Sequence, residues 1–352
     1  MIVKNNVPLA PYTSFNLGGH AENFALVENG DQLLEALRCT LPETQLWTIG
    51  YGSNSLISDA GLPGMVICTR GGDIKVNGNN IVADSGVWWD DIVKIALQNN
   101  LWGIELLSEV PGSLGGALFI NITAYGHSIG PRVEWIEVWD RHTSQVKRLT
   151  KDQLPWGYKS SVFQTEEGKN YIIIRACLKL SEKITDELVY QKALDVAEEL
   201  QLNTFSLTDR RKIIIEARKQ AGSLWNPVDK KSHHTVGSFF RSPIVTKEQA
   251  EKVIAFDESH KTADQIKTMN KVHGGNEFRV SAAHVMLAAG FNRGQSWGAV
   301  KLNDNNVLKI EALEGAKSQD VFNLATLVQK QCLDKLGIKL EPEARILGNF
   351  KN

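Results

Sequence analysis

The stretch at residues 235–244, Thr-Val-Gly-Ser-Phe-Phe-Arg-Ser-Pro-Ile, carries the residue types best suited to delivering a proton. Ser238 sets a small hydroxyl between a glycine and two aromatic residues, where bulk water would be excluded and a proton could reach one carbon. Gly-Ser-Phe-Phe is also compatible with a plain turn into a buried strand. On this stretch alone, both interpretations stay open.

Two glycine-rich loops precede it in the chain. Residues 50–56, Gly-Tyr-Gly-Ser-Asn-Ser-Leu, follow a predicted buried strand in a βαβ-like setting, so their amides could face an anion. Residues 110–117 and 121–126 are rich in small residues that let backbone approach a ligand. Neither a Gly-x-x-x-x-Gly-Lys-Ser/Thr motif nor a Gly-x-Gly-x-x-Gly motif occurs, which argues against a nucleoside triphosphate site. Each loop alone is equally compatible with an ordinary turn.

Length and charge limit the classes of function. The 352 residues favour two or three domains. With 39 basic and 40 acidic residues, the protein has no large net charge that would attract nucleic acid or a lipid surface. Residues 1–11 contain no apolar run, so neither a signal peptide nor a membrane span is expected. Specific small-molecule binding is therefore the favoured class.

Cysteine and histidine usage favours a reducing cytoplasm without structural metal. No Cys-x-x-Cys pair occurs, so we expect buried, inert thiols, no disulfides and no zinc site at the four cysteines, Cys39, Cys68, Cys177 and Cys332. The pair His233 and His234 is expected to be solvated and not to bind a metal.

Hydrophobic periodicity predicts alternating helices and strands. Helices are expected at 31–39, 88–98, 186–202, 209–221, 247–256 and 319–337. Strands are expected at 45–49, 65–69, 81–84, 133–139 and 171–180, with a turn at 61–64 and a loop at 222–236 that leads to another domain. The pattern indicates an α+β protein.

The motifs together resemble a known family. Residues 52–54, 111–116, 121–126, 157–158, 237–240 and 340–343 occur in the order and approximate spacing of UDP-N-acetylenolpyruvoylglucosamine reductases, flavoenzymes of peptidoglycan precursor synthesis. The resemblance runs from about residue 11 to residue 348. It implies a two-subdomain FAD-binding fold of the vanillyl-alcohol-oxidase type plus a separate α+β substrate-binding domain.

The resemblance also implies boundaries and partners. The first FAD-binding subdomain would span residues 1–69, and residues 340–352 would return to it. The second FAD-binding subdomain would span residues 70–205, and the substrate-binding domain residues 206–339. FAD and NADPH would be the cofactors and a sugar nucleotide the substrate, in a cytoplasmic monomer without nucleic-acid or membrane partners.

Site residues follow by matching positions to the family motifs. Ser238 matches the proton donor and Glu343 the second catalytic acid, while Lys159 supplies a cation. Substrate contacts are expected at Tyr158, Tyr190, Arg218, Phe239 and Ser242. FAD contacts are expected at Gly50, Tyr51, Gly52, Ser53, Asn54, Ser55, Leu56, Pro111, Gly112, Ser113, Gly115, Gly116, Asn121, Ala124, Tyr125 and Gly126.

The implied chemistry suits these residue types. NADPH would reduce the flavin and leave, and the methylene carbon of the enolpyruvyl sugar nucleotide would then accept hydride while its neighbour gains enolate charge. Lys159 and Glu343 would hold the carboxylate and stabilise the enolate, which is basic enough to take a proton from Ser238. From the residues alone, Glu343 beside Arg345 could instead be a surface ion pair, Lys159 a solvated lysine and Tyr158 a core residue.

Several positions depart from the family pattern. Lys159 stands where arginine is expected, and arginine grips a carboxylate with a planar fork that lysine lacks. Ser242 replaces an asparagine, Thr123 replaces a glycine, and residues 222–227 lack a usual lysine. These differences leave two alternatives open: the ordinary reductase with altered contacts, or a related flavin oxidoreductase with a changed substrate. A flavin-binding protein without turnover is a third alternative, and the presence of both Ser238 and Glu343 argues against it.

Overall fold

The computed structural model describes residues 2–225, 234–257, 261–272 and 277–351. Within these ranges the strands are β1 (Val3–Pro8), β2 (His20–Val27), β3 (Leu46–Ile49), β4 (Ser55–Ile57), β5 (Leu62–Thr69), β6 (Ile74–Asn77), β7 (Asn80–Asp84), β8 (Thr123–Ala124), β9 (His127–Ser128), β10 (Val133–Asp140), β11 (Gln145–Thr150), β12 (Trp156–Gly157), β13 (Ser160–Ser161), β14 (Tyr171–Lys179), β15 (Ile244–Val245), β16 (Phe278–Arg279), β17 (Ser296–Trp297), β18 (Val300–Leu302), β19 (Ile310–Ala312) and β20 (Arg345–Leu347). The helices are α1 (Gly30–Cys39), α2 (Trp89–Gln98), α3 (Leu114–Ile120), α4 (Gln191–Glu199), α5 (Leu207–Gln220), α6 (Lys247–Phe256), α7 (Lys261–Val272), α8 (Ala282–Ala288) and α9 (Ser318–Leu336).

The chain divides into two units. The first comprises the described residues of Met1–Val7, Ala21–Tyr51 and Pro63–Lys230, and the second those of Pro8–His20, Gly52–Leu62 and Lys231–Asn352. The three-part division expected from the sequence stays a prediction. None of the helices in the described ranges is long and apolar enough to cross a membrane.

The first unit contains a four-stranded sheet and a five-stranded antiparallel sheet. The four-stranded sheet has the order β1-β2-β5-β3, in which β3 and β5 run parallel with Ile49 opposite Cys68. The antiparallel sheet has the order β11-β10-β14-β7-β6. Helix α1 is capped by Asn29, whose side chain accepts the Gln32 N–H at 2.9 Å, and its Leu33 packs with Ile172 of β14.

Helices α2 and α3 cover the antiparallel sheet of this unit. The apolar face of α2 is buried, including Trp89 and Ile92, in one cluster with Leu114 of α3. Helix α3 was not predicted, because its glycines indicated a loop. Ser113 stabilises it by accepting the Gly116 N–H at 3.2 Å.

The second unit has its own apolar core. It contains the three-stranded sheet β17-β18-β19 and the parallel pair β4 and β20, in which Leu56 lies opposite Ile346. Helix α9 packs on this core and ends at Gly337, whose φ of 68° is the left-handed conformation that favours glycine. Helix α6 begins with a capping box between Thr246 and Gln249.

Most predicted elements are confirmed, and three expectations are wrong. The helix predicted at 186–202 begins only at Gln191, and the turn predicted at 61–64 stops at Gly61, because Leu62 already belongs to β5. Cys39 is exposed, because it lies at the solvent side of the last turn of α1, whereas the other three thiols are buried as expected. His233 lies outside the described residues, so the expectation for the histidine pair stays a prediction.

Candidate active site

In the second unit, Ser238 lies in the middle of three extended segments. On one side it pairs with Lys309 through an antiparallel bridge, and the Phe239 N–H donates to the Leu308 carbonyl at 2.8 Å. On the other side, Phe240 pairs with Pro342 through a second antiparallel bridge. The backbone on both sides thus fixes the position of the serine.

The second bridge brings Glu343 next to the serine segment. The Glu343 N–H donates to the Phe239 carbonyl at 2.8 Å, and the Asn54 side-chain amide donates to the Glu343 carbonyl at 3.1 Å. Glu343 and Arg345 are both half-buried, so they do not form a fully exposed surface pair. The structure therefore places two predicted catalytic residues, Ser238 and Glu343, on neighbouring segments. Glu343 lies opposite Phe239, the residue that follows Ser238.

Among the described residues, the space beside Gly237, the neighbour of Ser238, is open. Gly237 has a φ of 77°, and a Cβ added there would meet no atom of these residues within 4 Å. Among the described residues, the Ser238 hydroxyl has no hydrogen-bond partner. A half-buried hydroxyl beside open space can approach a bound molecule.

Three predicted contact residues in this unit, Phe239, Ser242 and Leu56, are buried or already hydrogen-bonded within the protein. Phe239 is fully buried in the core, where it stacks edge-on against Phe240 at 5.2 Å between ring centroids. The Ser242 hydroxyl accepts the Ala282 N–H at 3.4 Å at the start of α8. Leu56, in the glycine-rich loop, is also fully buried. Phe239 and Leu56 support the site by packing.

The part of the first glycine-rich loop that lies in the second unit is tightly turned. Gly52 has a φ of 64°, and a Cβ there would meet the Tyr12 carbonyl oxygen at 2.2 Å, so only glycine fits. Within the described residues, the Gly52 and Asn54 amides have no backbone acceptor in the turns and loops. Such amides suit an anionic group.

In the first unit, two hairpin tips carry predicted site residues. Strands β8 and β9 join through Tyr125 and Gly126, both with positive φ, at 51° and 84°. Strands β12 and β13 join through Tyr158 and Lys159, and Lys159 has a φ of 48°. Non-glycine residues rarely adopt this conformation, and they cluster at functional sites. Lys159 and Tyr158 are half-buried, so neither a solvated lysine nor a core tyrosine describes them.

Asn121 fixes the second hairpin from within this unit. Its side-chain amide donates to the Gly157 carbonyl at 2.7 Å, and its side-chain oxygen accepts the Gly130 N–H at 2.9 Å. Both polar groups of this buried side chain are thus used, one to hold the hairpin that carries Tyr158 and Lys159 and the other to hold Gly130. Asn121 positions neighbours, and any contact with a cofactor would come from its backbone.

Tyrosines from three segments meet near these tips. The rings of Tyr125 and Tyr190 lie edge-on with centroids 5.3 Å apart. Desolvation raises the pKa of Tyr125, and the nearby Arg218 guanidinium partly opposes this shift. Desolvation of the hydroxyl, with the nearby Tyr158 as a smaller cause, also raises the pKa of Tyr190, although 44% of that residue stays exposed. The Tyr125 and Tyr190 hydroxyls therefore remain protonated donors at neutral pH.

Arg218 is a buried cation beside this cluster. It is 8% exposed, and burial lowers the pKa of its guanidinium. One terminal nitrogen donates to the Ser223 carbonyl at 2.7 Å, but the buried Nε has no acceptor among the described residues. A buried, unsatisfied guanidinium N–H is a group that an anionic ligand would satisfy.

A charged network that the sequence did not reveal holds helix α5, which carries Arg218. Arg211 forms two hydrogen bonds of 2.7 Å with the fully buried Asp90 and one of 3.1 Å with Glu109. Burial raises the pKa of Asp90, but hydrogen bonds from Arg211 and from the Glu109 amide outweigh this and lower it to about 2. The residues are 121 positions apart in sequence, so no local pattern indicates their pairing.

The second glycine-rich loop packs within the first unit. Gly50 approaches Ser113 so closely that a Cβ would meet its hydroxyl at 2.5 Å. The N–H groups of Leu114 and Gly115 donate to the Val87 and Ser85 carbonyls. These amides are therefore not available to an anion, contrary to our interpretation of this loop. Pro111 and Gly112 lie just before the helix, and Ala124 lies in β8.

An aromatic group borders Gly50 in the same unit. Tyr51 lies edge-on to Trp88 at 4.7 Å, with the Arg70 guanidinium 5.1 Å from the Tyr51 ring centroid. Trp88 lies 5.9 Å from Trp225 between ring centroids. A planar ring system could stack on such a surface.

Comparisons with known proteins agree with this arrangement. Residues 21–150 match the FAD binding domain family, and residues 226–347 match the family described as "UDP-N-acetylenolpyruvoylglucosamine reductase, C-terminal domain". Within the described residues, a turned glycine loop whose amides have no backbone acceptor fits an FAD phosphate, and together these observations define an FAD-dependent oxidoreductase. The chain belongs to the UDP-N-acetylenolpyruvoylglucosamine reductase family, which confirms the resemblance.

The relatives match over nearly their full length. The chain is 30% identical over 358 residues to the UDP-N-acetylenolpyruvoylglucosamine reductase of Cutibacterium acnes, covering 97% of this chain and 90% of that protein. It is 27% identical over 352 residues to that of Thermobifida fusca, covering 97% of each. A crystal structure of the Thermus caldophilus enzyme, 22% identical, shares the fold with a TM-score of 0.66 over 99% of this chain and 100% of that one. The α+β fold class is thereby confirmed.

Proposed function

We propose that this protein reduces UDP-N-acetylglucosamine enolpyruvate to UDP-N-acetylmuramate with NADPH, a step of peptidoglycan precursor synthesis. The observation that carries the proposal is the backbone hydrogen bond from Glu343 to Phe239, the residue next to Ser238, in a chain that aligns with these reductases over 97% of its length. A hydroxyl and a carboxyl on neighbouring fixed segments suit the delivery of one proton to one carbon.

Ser238 is the proposed proton donor. The carbon next to the substrate carboxylate carries negative charge after hydride addition at the methylene carbon, and it accepts the hydroxyl proton. When bound, FAD supplies that hydride. The space beside Gly237, open within the part of the chain that the structure describes, supports access of the substrate to this hydroxyl.

Lys159 and Glu343 are the proposed groups that hold the carboxylate and stabilise the enolate. Lys159 is held at a hairpin tip in a left-handed conformation, with its carbonyl accepting the Gln164 side-chain N–H at 3.3 Å. A fixed backbone compensates in part for the flexible lysine stem, which lacks the two-pronged fork of arginine. Glu343 is fixed through its own N–H and carbonyl.

The tyrosine and arginine cluster is the proposed site for the sugar nucleotide. The unsatisfied Nε of Arg218 supports a contact with the diphosphate, and the Tyr190 and Tyr158 hydroxyls support contacts with diphosphate or sugar oxygens. The T-shaped contact with Tyr125 holds Tyr190 at the cluster. Ser242 and Phe239 are proposed to support this site indirectly, through α8 and through the core.

FAD is proposed to contact the two glycine-rich loops and the β8–β9 hairpin. The unused amides of Gly52 and Asn54 support binding of the phosphates, and Tyr51 supports stacking on a ring. We further propose a cytoplasmic monomer without nucleic-acid or membrane partners, because NADPH and sugar nucleotides are small cytoplasmic metabolites. Light scattering during gel filtration tests the monomer.

Steady-state turnover of the purified yellow protein tests the proposed function. NADPH oxidation should depend on the enolpyruvyl nucleotide, with UDP-N-acetylmuramate as the product in mass spectrometry. NADPH oxidation that ignores this nucleotide would favour a related oxidoreductase with another substrate. Protein that binds FAD but is not reduced by NADPH would leave only a flavin-binding function.

A further inference from the structure

Lys309 is a buried lysine directly opposite the proposed proton donor. It is 3% exposed and forms the antiparallel bridge with Ser238. Its N–H donates to the Asn306 carbonyl at 3.0 Å, and its carbonyl accepts the Asn303 N–H at 2.9 Å. The lysine backbone is therefore fixed at the turn between β18 and β19.

The bridge geometry places the two side chains on the same face. Residues directly opposite in an antiparallel pair point to one side, with Cβ atoms about 4.5–5.5 Å apart. Ser238 is half-buried beside open space, whereas Lys309 is enclosed. The Lys309 side chain is thus buried on the face of the bridge that also carries the Ser238 hydroxyl.

We propose that Lys309 is a positioning residue for proton transfer, acting through Ser238. The inference rests on the proposed function. In the step, the Oγ–H bond of Ser238 breaks while a C–H bond forms from the enolate electron pair at the carbon next to the carboxylate. Oγ keeps the electron pair of the broken bond as an alkoxide, which later takes a proton from water. The lysine ammonium stabilises the alkoxide, because charges interact strongly where water is excluded.

Other charged groups around this pair bear on the test. Glu311 lies in β19, two residues after Lys309, and Lys301 lies opposite it in β18. Glu343 and Arg345 lie on the segment at the other side of Ser238. Lys301 already pairs with Asp304 at 2.8 Å and with Glu311 at 3.4 Å. Lys301 is therefore a suitable control: it carries the same charge on the neighbouring strand, and its strand-pairing partner is Glu311 instead of Ser238.

A thiol introduced at the serine position measures the local field without any need for turnover. In Ser238→Cys, the pH dependence of iodoacetamide labelling at that position, read by peptide mass spectrometry, gives the thiol pKa. Adding Lys309→Met should raise this thiol pKa by about one unit. At a fixed pH below the pKa, the thiolate fraction, and with it the labelling rate, should then fall about tenfold. Adding Lys301→Met or Lys309→Arg should leave it nearly unchanged. Equal pKa values with and without Lys309→Met would overturn the inference.

The half-reactions supply the second readout. Lys309→Met should leave flavin reduction by NADPH at the wild-type rate, slow reoxidation by the enolpyruvyl nucleotide at least tenfold, and raise the solvent deuterium isotope effect on that step. Lys309→Arg should restore most of the rate. If the wild type reoxidises rapidly and Lys309→Met does too, this inference fails while the proposed function stands. If the wild type does not reoxidise, the proposed function fails. Should Lys309→Met not retain FAD, Lys309→Gln serves as the neutral variant.

Discussion

Glu343 donates its backbone N–H to the Phe239 carbonyl at 2.8 Å, although 104 residues separate them in sequence. The bond links the segment of one proposed catalytic residue to the segment of the other. Because the link is made by backbone atoms, side-chain substitutions at Ser238 or Glu343 leave it intact. Those substitutions can therefore probe chemistry separately from folding.

Ser238→Ala should separate the two half-reactions. Flavin reduction by NADPH should stay near the wild-type rate, because no proton from residue 238 is needed there. Reoxidation by the enolpyruvyl nucleotide should slow by roughly 10³-fold or more, since a positioned proton donor contributes about 10²–10⁴-fold. Anaerobic stopped-flow absorbance of the flavin measures both. Equal impairment of both half-reactions would refute the role given to Ser238.

Lys159→Arg should preserve or raise turnover. The guanidinium keeps the charge and adds a two-pronged donor for a carboxylate, and the left-handed backbone at this position strains lysine and arginine alike. The measurement is kcat/KM for the enolpyruvyl nucleotide. Lys159→Met, which removes the charge at similar volume, is the matched comparison and should lose most activity. A collapse in Lys159→Arg would mean that the pocket requires lysine.

Arg218→Met should weaken nucleotide binding. Removing one charge-assisted hydrogen bond to a phosphate costs about 1.5–3 kcal/mol, which corresponds to a rise of roughly 10–100-fold in the KM for the enolpyruvyl nucleotide. Arg148→Met is the control, because that guanidinium is exposed and pairs with Glu137 on the sheet surface. Inhibition by UDP should weaken in parallel with KM. An unchanged UDP affinity would remove Arg218 from the diphosphate site.

Asp90→Asn should destabilise the fold. It leaves Arg211 without its buried charge partner, and breaking a buried pair costs about 3–5 kcal/mol of unfolding free energy. Chemical denaturation at pH 7 measures this loss. Asp91→Asn is the control, since Asp91 is exposed and pairs with Lys94, a contact worth about 0–1 kcal/mol. Similar losses in both variants would contradict the role of the network.

The same carboxylate gives a pH dependence of stability. The pKa of Asp90 is about 2 in the folded protein, below the ordinary 3.8. Its contribution is therefore fully present above about pH 4 and is lost as the pH falls toward 2. The wild type should lose stability more steeply than Asp90→Asn across that window. Parallel curves for the two proteins would count against the shifted pKa.

Local patterns in the sequence predicted the regular elements well. The helix α6 has the predicted bounds, and α1 differs by one residue, because apolar spacing and caps are local signals. Helix α3 was missed because its stability comes from burial of Leu114 and Leu118 and from the Ser113 cap, which outweigh the glycines. Long-range burial is invisible to a local pattern.

The candidate site was found mainly through motifs. The meeting of Tyr125, Tyr190 and Arg218 could not be read from spacing, because it depends on how α5 packs in the first unit. In the sequence, Lys309 looks like an ordinary polar residue of a predicted strand. Only its burial and its bridge to Ser238 distinguish it.

Single-turnover reoxidation tests the central claim most directly. The protein is reduced anaerobically with one equivalent of NADPH and mixed with UDP-N-acetylglucosamine enolpyruvate, while flavin absorbance is followed. We expect rapid return of the oxidised flavin spectrum and one equivalent of UDP-N-acetylmuramate per flavin. Flavin that stays reduced while UDP-N-acetylglucosamine enolpyruvate is recovered unchanged would contradict the proposed function.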